Sequence, residues 1–323
     1  MFQRAISFFI ITCLCGFAFW LFTFEKKNVT ADASSEYIVV ENGGGPGVSV
    51  RIPKHPRRVV CLTASSLEIW MKVGGADRLV AAPRFNYAPQ WVYEKMPTHV
   101  ADLGPSNTIS LEKIMLYKPD LVIASGMANS QHLAGDFFAR ENIPLLTLPT
   151  QSLADTLFEI KLLGKITGQA KLAQNEVTRI LDNIAVQAKR NEGKRPKRVL
   201  MVFGTSTSFS MMTPSSRQGD MLRLAGAENI IGDISLDSKY IPFSLEFAAQ
   251  QNPDYVLFVN HGNREKMQVQ MEKALAENSA WNVIEAVNKG KVHVLPPELF
   301  AVSPGLRSDQ AVEYLSRLLY SND

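Results

Sequence analysis

The stretch SLEKIMLYKPDLV at residues 110–122 recurs in closely similar form as SLEFAAQQNPDYV at residues 244–256. Both copies read Ser-Leu-Glu, six residues, Pro-Asp, one residue and Val. The serine is a favoured helix N-cap, the spacer supplies about two helical turns, and the proline ends the helix. The apolar run after each Pro-Asp is typical of a buried strand. The repeat therefore predicts the same helix-to-strand unit twice, once in each half of the chain.

The sequence around the first copy alternates short apolar runs with helical patterns. Strands are indicated by RRVVCLTA at residues 57–64, DRLVAAP at 77–83 and IPLLTLP at 143–149. Helices are indicated by SSLEIWMKVGGA at 65–76, which ends at glycines, and by a segment from about Gln131 to Glu141. Such alternation predicts an α/β lobe with a mostly parallel sheet.

The same order of segments returns in the second half of the chain. KRVLMVFG at residues 197–204 matches RRVVCLTA, LAGAENIIGD at 224–233 matches VGGADRLVA, and the second Ser-Leu-Glu copy follows. Three matches in the same order indicate an internal duplication. The chain then predicts a helix around NSAWNVIEAV at 278–287, a strand KVHVLP at 291–296, and an amphipathic helix from Ser308 to Tyr320.

A helical stretch separates the two repeats. From Gln151 to about Glu192 the apolar residues recur at helical spacing, and Gly164 and Gly168 are the expected breaks. We therefore predict an α/β fold of two three-layer lobes with mostly parallel sheets, joined by a single long backbone helix. The predicted boundaries are residues 37–168 for the N-terminal lobe, 169–193 for the backbone helix and 194–323 for the C-terminal lobe.

The beginning of the chain differs in composition from the rest. The segment from Ala5 to Phe24 carries no charge, is long enough to span a bilayer, and is longer than the apolar part of most cleaved signals. The small-x-small site at residues 31–33 leaves cleavage open, and Cys13 and Cys15 leave lipidation open. We expect the folded protein to lie outside the cytoplasm. Residues 1–24 are predicted as a signal or membrane anchor and residues 25–36 as a spacer.

Charge and composition argue against several classes of function. The 34 basic and 31 acidic residues leave a net charge of +3 without a long block of one sign, which disfavours a nucleic-acid surface. Two of the three cysteines lie in the apolar segment and Cys61 lies in a predicted strand, so no disulfide framework is expected. The five histidines are scattered without the spacing that would hold a bare metal ion.

The glycine-rich ENGGGPG at residues 41–47 is interpreted as the turn of a hairpin, and no nucleotide-binding or hydrolase motif is present.

Six segments together resemble one known family. They are RIPKHPRRVVCL (51–62), LGPSNTISLEKIMLYKPDLVIASG (103–126), LLGKITGQ (162–169), LAGAENIIGD (224–233), LEFAAQQNPDYVLF (245–258) and ELFAVSPGLR (298–307). From about Tyr37 to the C-terminus the chain resembles the class III periplasmic substrate-binding proteins of ABC importers. These are the helical-backbone receptors for iron-siderophore complexes, haem and cobalamin.

The resemblance implies a function as well as a fold. It implies a ligand held between the two lobes, modest closure on binding, no catalysis and no cofactor. It also implies that an exposed glutamate on each lobe, Glu112 and Glu246 here, docks onto arginines of the membrane-embedded permease subunits. We expect a monomeric receptor that captures an iron(III) chelate, a siderophore, and delivers it to the permease. The alternatives are a haem or cobalamin receptor of the same family, a membrane-tethered ligand sensor and a chelatase-like enzyme.

Candidate ligand residues follow from the rule that ligands bind beyond the carboxyl ends of parallel strands. Arginines would pair with carboxylates or a ferric catecholate, aromatic rings would stack on a ring system, and tyrosine, methionine or histidine could ligate haem iron. Met211 and Met212 are expected in the same loop as Phe209, although methionines could equally belong to the core of the lobe. The residues selected in this way are Arg84, Tyr87, Met127, Ser206, Phe209, His261 and Arg307.

Overall fold

The computed structural model describes most of the chain from Val29 onward. The described residues are 29–30, 36–106, 108–125, 130–205, 208–232, 238–260, 264–277 and 279–321. The predicted signal or anchor at residues 1–24 lies outside them. Within these ranges, no helix combines the length and the apolar character that crossing a bilayer requires.

The chain divides into two compact units. The N-terminal unit contains the described residues up to Thr150 together with Ala154–Arg179. The C-terminal unit contains Gln151–Leu153 and the described residues from Ile180 onward. Leu153 belongs to the C-terminal unit, where its backbone N–H donates to the carboxylate of Asp220 at 2.8 Å. The three residues Gln151–Leu153 therefore belong to the C-terminal unit, although the residues on both sides of them in the sequence belong to the N-terminal unit.

An antiparallel sheet of three strands opens the N-terminal unit. Its strands are β1 (Val29–Thr30), β2 (Tyr37–Val40) and β3 (Val50–Pro53), in the order β1-β2-β3. The predicted hairpin is formed by β2 and β3, whereas β1 lies in the stretch predicted as a spacer. The glycine-rich turn packs back on the unit, because the carbonyl oxygen of Gly43 accepts hydrogen bonds from the N–H and the hydroxyl of Thr147 at 2.6 and 3.0 Å.

A five-stranded sheet forms the centre of the N-terminal unit. Its elements are β4 (Val59–Cys61), α1 (Ala64–Lys72), a 3₁₀ turn (Ala76–Arg78), β5 (Leu79–Arg84), α2 (Gln90–Glu94), β6 (Ala101–Pro105), α3 (Leu111–Met115), β7 (Leu121–Ser125), α4 (Ser130–Arg140) and β8 (Leu145–Leu148). All neighbouring strands are parallel, in the order β6-β5-β4-β7-β8. One buried cluster joins Val60 and Val122 of the sheet to Ile114 of α3 and Phe138 of α4. Helices α3 and α4 thus cover one part of the sheet with apolar side chains.

Two long helices follow this sheet, α5 (Leu153–Thr167) and α6 (Ala170–Arg190). Gly168 separates them with a φ of 76°, a conformation that residues with side chains rarely adopt. The predicted break at Gly168 is confirmed, whereas Gly164 lies inside α5. Helix α6 has 21 residues and is about 30 Å long; it begins in the N-terminal unit and ends in the C-terminal unit.

Gly164→Ala is expected to lower the free energy of unfolding by roughly 1 to 3 kcal/mol. A Cβ added at Gly164 of α5 would lie 2.2 Å from the Cβ of Ala173 on α6, closer than carbon atoms can approach. Chemical denaturation of the purified protein measures the loss. Gly135→Ala on α4 is the matched control, because its added Cβ would meet no described atom within 4 Å apart from its chain neighbours and the backbone of its own helix. Equal changes in the two variants would contradict the close approach of α5 and α6.

The C-terminal unit contains a second α/β arrangement. Its elements after α6 are β9 (Arg198–Gly204), β10 (Phe209–Met212), α7 (Arg217–Leu224), β11 (Glu228–Asn229), β12 (Tyr240–Pro242), α8 (Leu245–Gln251), β13 (Tyr255–Val259), α9 (Arg264–Glu277), a 3₁₀ turn (Ser279–Val283), α10 (Glu285–Asn288), β14 (Val292–Val294), α11 (Pro297–Phe300), a 3₁₀ turn (Gly305–Arg307) and α12 (Ser308–Tyr320). The sheet order is β12-β10-β9-β13-β14, and β11 also pairs with β9. Strands β9, β11, β13 and β14 are parallel, whereas β10 pairs antiparallel with β9 and β12 pairs antiparallel with β10.

The prediction that residues 209–212 lie in a loop after β9 is wrong, because these residues form strand β10. The chain reverses because the N–H of Thr205 donates to the carbonyl of Ser208 at 2.9 Å, so that the next residues return along β9. Met211 and Met212 are 3% and 0% exposed and belong to the core of the unit.

The predicted fold class is confirmed: both units are α/β, and their central strands are parallel. The C-terminal helix α12 has the predicted bounds, Ser308–Tyr320. Cys61 is a buried free cysteine in β4, as its apolar surroundings in the sequence indicated.

Candidate functional site

The Ser-Leu-Glu repeat forms the same capped helix start in both units. The hydroxyl of Ser110 accepts a hydrogen bond from the N–H of Lys113 at 3.1 Å, and that of Ser244 accepts one from Phe247 at 3.1 Å. Glu112 and Glu246 each occupy the second position of the helix, and both side chains are exposed. Each unit therefore presents one carboxylate to solvent on a short helix whose first turn is fixed by its cap.

The carboxyl end of β5 carries an exposed ion pair. Arg84 Nε lies 2.5 Å from Oδ2 of Asp102 on β6, and the two side chains are 77% and 44% exposed. The N–H of Gly104 and then the Arg84 guanidinium hold the pKa of Asp102 below its usual range, so this carboxyl is ionised at neutral pH. Because water screens the pair, Asp102 restrains Arg84 only weakly and leaves it able to turn toward an anion.

A tyrosine orders the segment that follows Arg84. The hydroxyl of Tyr93 on α2 accepts a hydrogen bond from the N–H of Phe85 at 2.7 Å and donates to the Phe85 carbonyl at 3.3 Å. Burial raises the pKa of Tyr93, so the hydroxyl keeps its proton at neutral pH. Tyr87 follows in the same segment and is half-buried. The sequence analysis does not identify Asp102 and Tyr93, because it selects residues in the loops that follow strands. Asp102 lies within β6 and Tyr93 lies within α2.

Phe209 belongs to an aromatic cluster of the C-terminal unit. Its ring meets Phe258 of β13 edge-on at a centroid distance of 5.5 Å and Phe243 at 6.1 Å. Phe243 in turn stacks on the buried Trp281 at 5.3 Å. Phe209 is half-buried, so part of its surface contributes to the core and part remains accessible.

Arg307, the other predicted residue of the C-terminal unit that the structure describes, has a different setting. It ends the 3₁₀ turn before α12, where its N–H donates to the carbonyl of Pro304 at 3.0 Å and its side chain is half-buried. The structure thus places Arg84 and Tyr87 in one segment of the N-terminal unit and Phe209 and Arg307 in separate segments of the C-terminal unit. The predicted residues Met127, Ser206 and His261 lie outside the described residues.

Polar groups also surround the carboxyl ends of β9 and β13. The carbonyl of Thr205 accepts a hydrogen bond from Gln270 of α9 at 2.6 Å, and the hydroxyl of Thr205 lies 2.9 Å from that of Ser208. Asn260, which directly follows β13, is 7% exposed. In the part of the chain that the structure describes, no group of three or more His, Cys, Asp or Glu side chains is arranged to hold a metal ion.

One family model matches this chain. It is described as "Periplasmic binding protein" and matches residues 59–299, from β4 to α11. Among curated relatives, the high-affinity heme uptake system protein IsdE of Staphylococcus aureus strain bovine RF122 is 31% identical over 148 residues, which cover 46% of this chain and 48% of that protein. IsdE of strain MRSA252 is 25% identical over 236 residues, which cover 71% of this chain and 79% of that protein.

Solved structures are similar over both units. An ABC transporter substrate-binding protein from Listeria monocytogenes EGD-e aligns with a TM-score of 0.73 and 25% identity, covering 83% of this chain and 100% of that chain. S. aureus IsdE complexed with heme aligns with a TM-score of 0.69 and 23% identity, covering 81% of this chain and 98% of that chain. Since the family model covers well over half of the sequence and reaches into both units, the chain belongs to the periplasmic binding protein family.

Proposed function

We propose that this protein is the extracytoplasmic substrate-binding component of an ABC importer that captures an iron chelate and delivers it to the membrane permease. The observation that carries the proposal is the family match, which extends through the α/β cores of both units. The uncharged segment from Ala5 to Phe24 fits export, with cleavage or retention as an anchor. The carboxyl edges of the parallel strands supply the candidate ligand contacts.

Haem is the iron chelate that the relatives favour, because the similar S. aureus proteins are named for heme uptake. Its propionates are carboxylates, which an arginine guanidinium binds with paired hydrogen bonds. Arg84 suits this role because it is exposed and only loosely held by Asp102. Tyr87, Met127 and His261 are the candidate iron ligands. The ferric siderophore predicted from the sequence, and cobalamin, are the other ligands of this family and stay alternatives.

The ligand proposal is tested by titration of purified protein. The expressed chain begins at Asn28, because β1 at Val29–Thr30 pairs with β2 and is kept with the folded part. Haemin is expected to bind saturably with one-to-one stoichiometry and to shift its Soret absorption band. Ferric siderophores and cobalamin are added in parallel while tryptophan fluorescence is recorded. If only a ferric siderophore binds saturably, the proposed ligand is the siderophore and not haem. If none of the three ligands binds, the proposal is overturned.

Arg84→Ala is expected to weaken haemin binding by roughly tenfold, since one charge-assisted contact to a propionate is lost. The measurement is the same Soret titration. Arg223→Ala is the matched control, because Arg223 is also an exposed arginine in an ion pair, with Asp220 at 2.7 Å. Equal affinities for the parent and Arg84→Ala proteins would remove Arg84 from the binding site.

The contact with the permease is assigned to Glu112 and Glu246. Both are exposed, each lies on a capped helix start, and each unit carries one. A receptor with two similar units suits a permease built around a two-fold axis, because each half of the permease then meets one carboxylate. Exposed ion pairs of this kind contribute little static affinity but orient the two proteins and speed their encounter.

A further inference from the structure

The Pro-Asp half of the repeated motif makes the same contact in both units. In the N-terminal unit, the carboxylate of Asp120 accepts hydrogen bonds from the backbone N–H of Arg57 at 2.7 Å and of Arg58 at 2.8 Å. The N–H of Asp120 donates to the carbonyl of Arg58 at 2.9 Å. Asp120 therefore binds the residues that lead directly into β4, the central strand of its sheet.

The C-terminal unit repeats this arrangement. The carboxylate of Asp254 accepts hydrogen bonds from the backbone N–H of Arg198 at 2.8 Å and from the guanidinium of Arg195 at 2.7 Å. The N–H of Asp254 donates to the carbonyl of Arg198 at 2.7 Å. Burial alone would raise the pKa of Asp254, but the bonds from Arg198 and Arg195 outweigh it and lower the pKa, so the carboxylate stays ionised.

The arginine of each pair reaches back to the end of the helix that carries the glutamate. Arg58 Nε donates to the carbonyls of Tyr117 and Lys118 at 3.0 Å each, and its Nη2 donates to Tyr117 at 2.6 Å. These carbonyls belong to the turn after α3, two and three residues beyond its last residue, Met115. A cation is favoured at this end of a helix by the helix dipole.

Arg198 makes the equivalent contact at the C-terminal end of α8. Its Nη1 donates to the carbonyl of Gln251 at 2.7 Å, and its Nη2 donates to Oε1 of the same residue at 2.8 Å. Gln251 is the last residue of α8. The two units thus use the same pair of residue types, in the same positions of the repeat, to connect the end of the equivalent helix, or the turn after it, to the start of the central strand.

The backbone between helix and strand is unusual in both units. Lys118 and Asn252, which precede the two prolines, have φ values of 43° and 44°. Residues before proline normally adopt extended conformations, and residues with side chains rarely have positive φ. Bonds from Arg58 and Arg198 to the adjoining carbonyls hold the chain in this turn.

Glu112 depends on these contacts for its position. Helix α3 has only five residues, which is too short to be stable by itself, so its placement comes from the burial of Ile114 against the sheet together with the contacts at its two ends. Ser110 binds the first turn and Arg58 binds the carbonyls after the last turn. We propose that the Arg58–Asp120 and Arg198–Asp254 pairs are positioning residues for permease docking, which hold α3 and α8, and with them Glu112 and Glu246, at a fixed place on each unit.

This inference rests on the proposed docking role of the two glutamates. Docking through two separated carboxylates requires both to meet their partners at once, and affinity is lost when the geometry of either changes. The arginines act through the glutamates and do not themselves contact the permease. Their effect must therefore disappear when the glutamate of the same unit is absent, which a double-mutant cycle measures.

The test measures the affinity of the full chain for the importer's permease in proteoliposomes. Arg58→Gln is expected to weaken permease binding by roughly tenfold. The same substitution in a Glu112→Ala background is expected to change the affinity by less than about twofold. Haemin titration and thermal melting establish that each variant is folded. Arg57→Gln is the matched control, because Arg57 is the adjacent exposed arginine and binds Asp120 through its backbone N–H, which the substitution keeps.

Several outcomes separate this inference from the docking proposal. If Glu112→Ala weakens permease binding and Arg58→Gln does not, the positioning role is overturned while docking stands. An equal loss from Arg58→Gln with and without Glu112 also overturns it, since Arg58 would then act independently. If Glu112→Ala has no effect, docking and positioning both fail. Should Arg58→Gln not fold, Arg58→Lys replaces it in the cycle, because lysine keeps the charge but lacks the fork that binds two carbonyls.

Discussion

Replacement of both Glu112 and Glu246 by lysine is expected to abolish ligand uptake by cells while leaving the affinity for haemin unchanged. Each reversal turns an attractive contact with a basic permease surface into a repulsive one, and like charges brought together at an interface cost several kcal/mol. The measurements are uptake of labelled haem by cells and Soret titration of the purified variant. Each single reversal is expected to reduce uptake less than the double reversal, because the second unit still offers its carboxylate.

The matched control for this prediction changes two other acidic residues near helix starts. Asp77 lies in the 3₁₀ turn after α1, and Glu298 occupies the second position of α11; both side chains are exposed. Asp77→Lys with Glu298→Lys makes the same change in net charge and is expected to leave uptake intact. Lysine at a helix start costs roughly 0.3 to 1 kcal/mol, too little to unfold a protein. Uptake that survives the reversal of Glu112 and Glu246 would reduce them to helix-start residues and refute docking.

Glu159→Gln is expected to remove a pH dependence of about 3 kcal/mol from the stability of the protein. Glu159 lies on α5, is 1% exposed, and accepts a hydrogen bond from the hydroxyl of Ser66 on α1 at 2.6 Å. Burial raises its pKa to about 7; the carboxylates of Asp155 and Glu68 also raise it, and the Ser66 bond lowers it. Glutamine keeps the shape of the side chain and cannot ionise.

The sign follows from the two states of Glu159. In the unfolded chain the carboxyl titrates near its ordinary pKa of 4.5, whereas in the folded protein it titrates near 7. Below 4.5 the carboxyl is protonated in both states, and its contribution to stability is fully present. As the pH rises from 4.5 through 7 the unfolded state releases its proton first, so stability falls, and the loss is complete above 7.

Urea denaturation at pH 5 and pH 8 measures this effect as the difference in unfolding free energy between the parent and Glu159→Gln. The parent is expected to lose about 2.5 kcal/mol more than the variant between the two pH values, because a small part of the loss has already occurred at pH 5. Glu141→Gln, at an exposed position after α4, controls for the removal of one glutamate. A parent-to-variant difference that is the same at both pH values would refute the raised pKa of Glu159.

The repeated motif carried most of what could be predicted. Its serines are N-caps, and a cap is recognised from neighbouring residues in the chain. The duplicated order of strands and helices predicted two α/β units, and the bounds of α12 followed from its regular apolar spacing. The prediction of a binding protein rather than an enzyme is confirmed by the family match.

Sequence reasoning failed where a residue's neighbours are distant in the chain. Phe209 was placed in a loop and lies at the start of β10, because pairing with β9 is not encoded in the apolar pattern of four residues. Glu159 stands among apolar residues of a helix, and only the packing of α1 against it shows that its carboxyl is buried. Asp102 gave no local signal that it would pair with Arg84 on the neighbouring strand.

The sequence by itself determined the two α/β units, their capped helix starts and the presence of one exposed glutamate in each. These features depend on interactions between residues that are close in the chain, so periodicity and spacing reveal them. Only the tertiary structure decided what the Pro-Asp half of the repeat does. Asp120 and Arg58 are 62 positions apart, and Asp254 and Arg198 are 56 apart. Their contacts exist because the parallel strands bring the start of one strand beside the end of a distant helix, which no local pattern records.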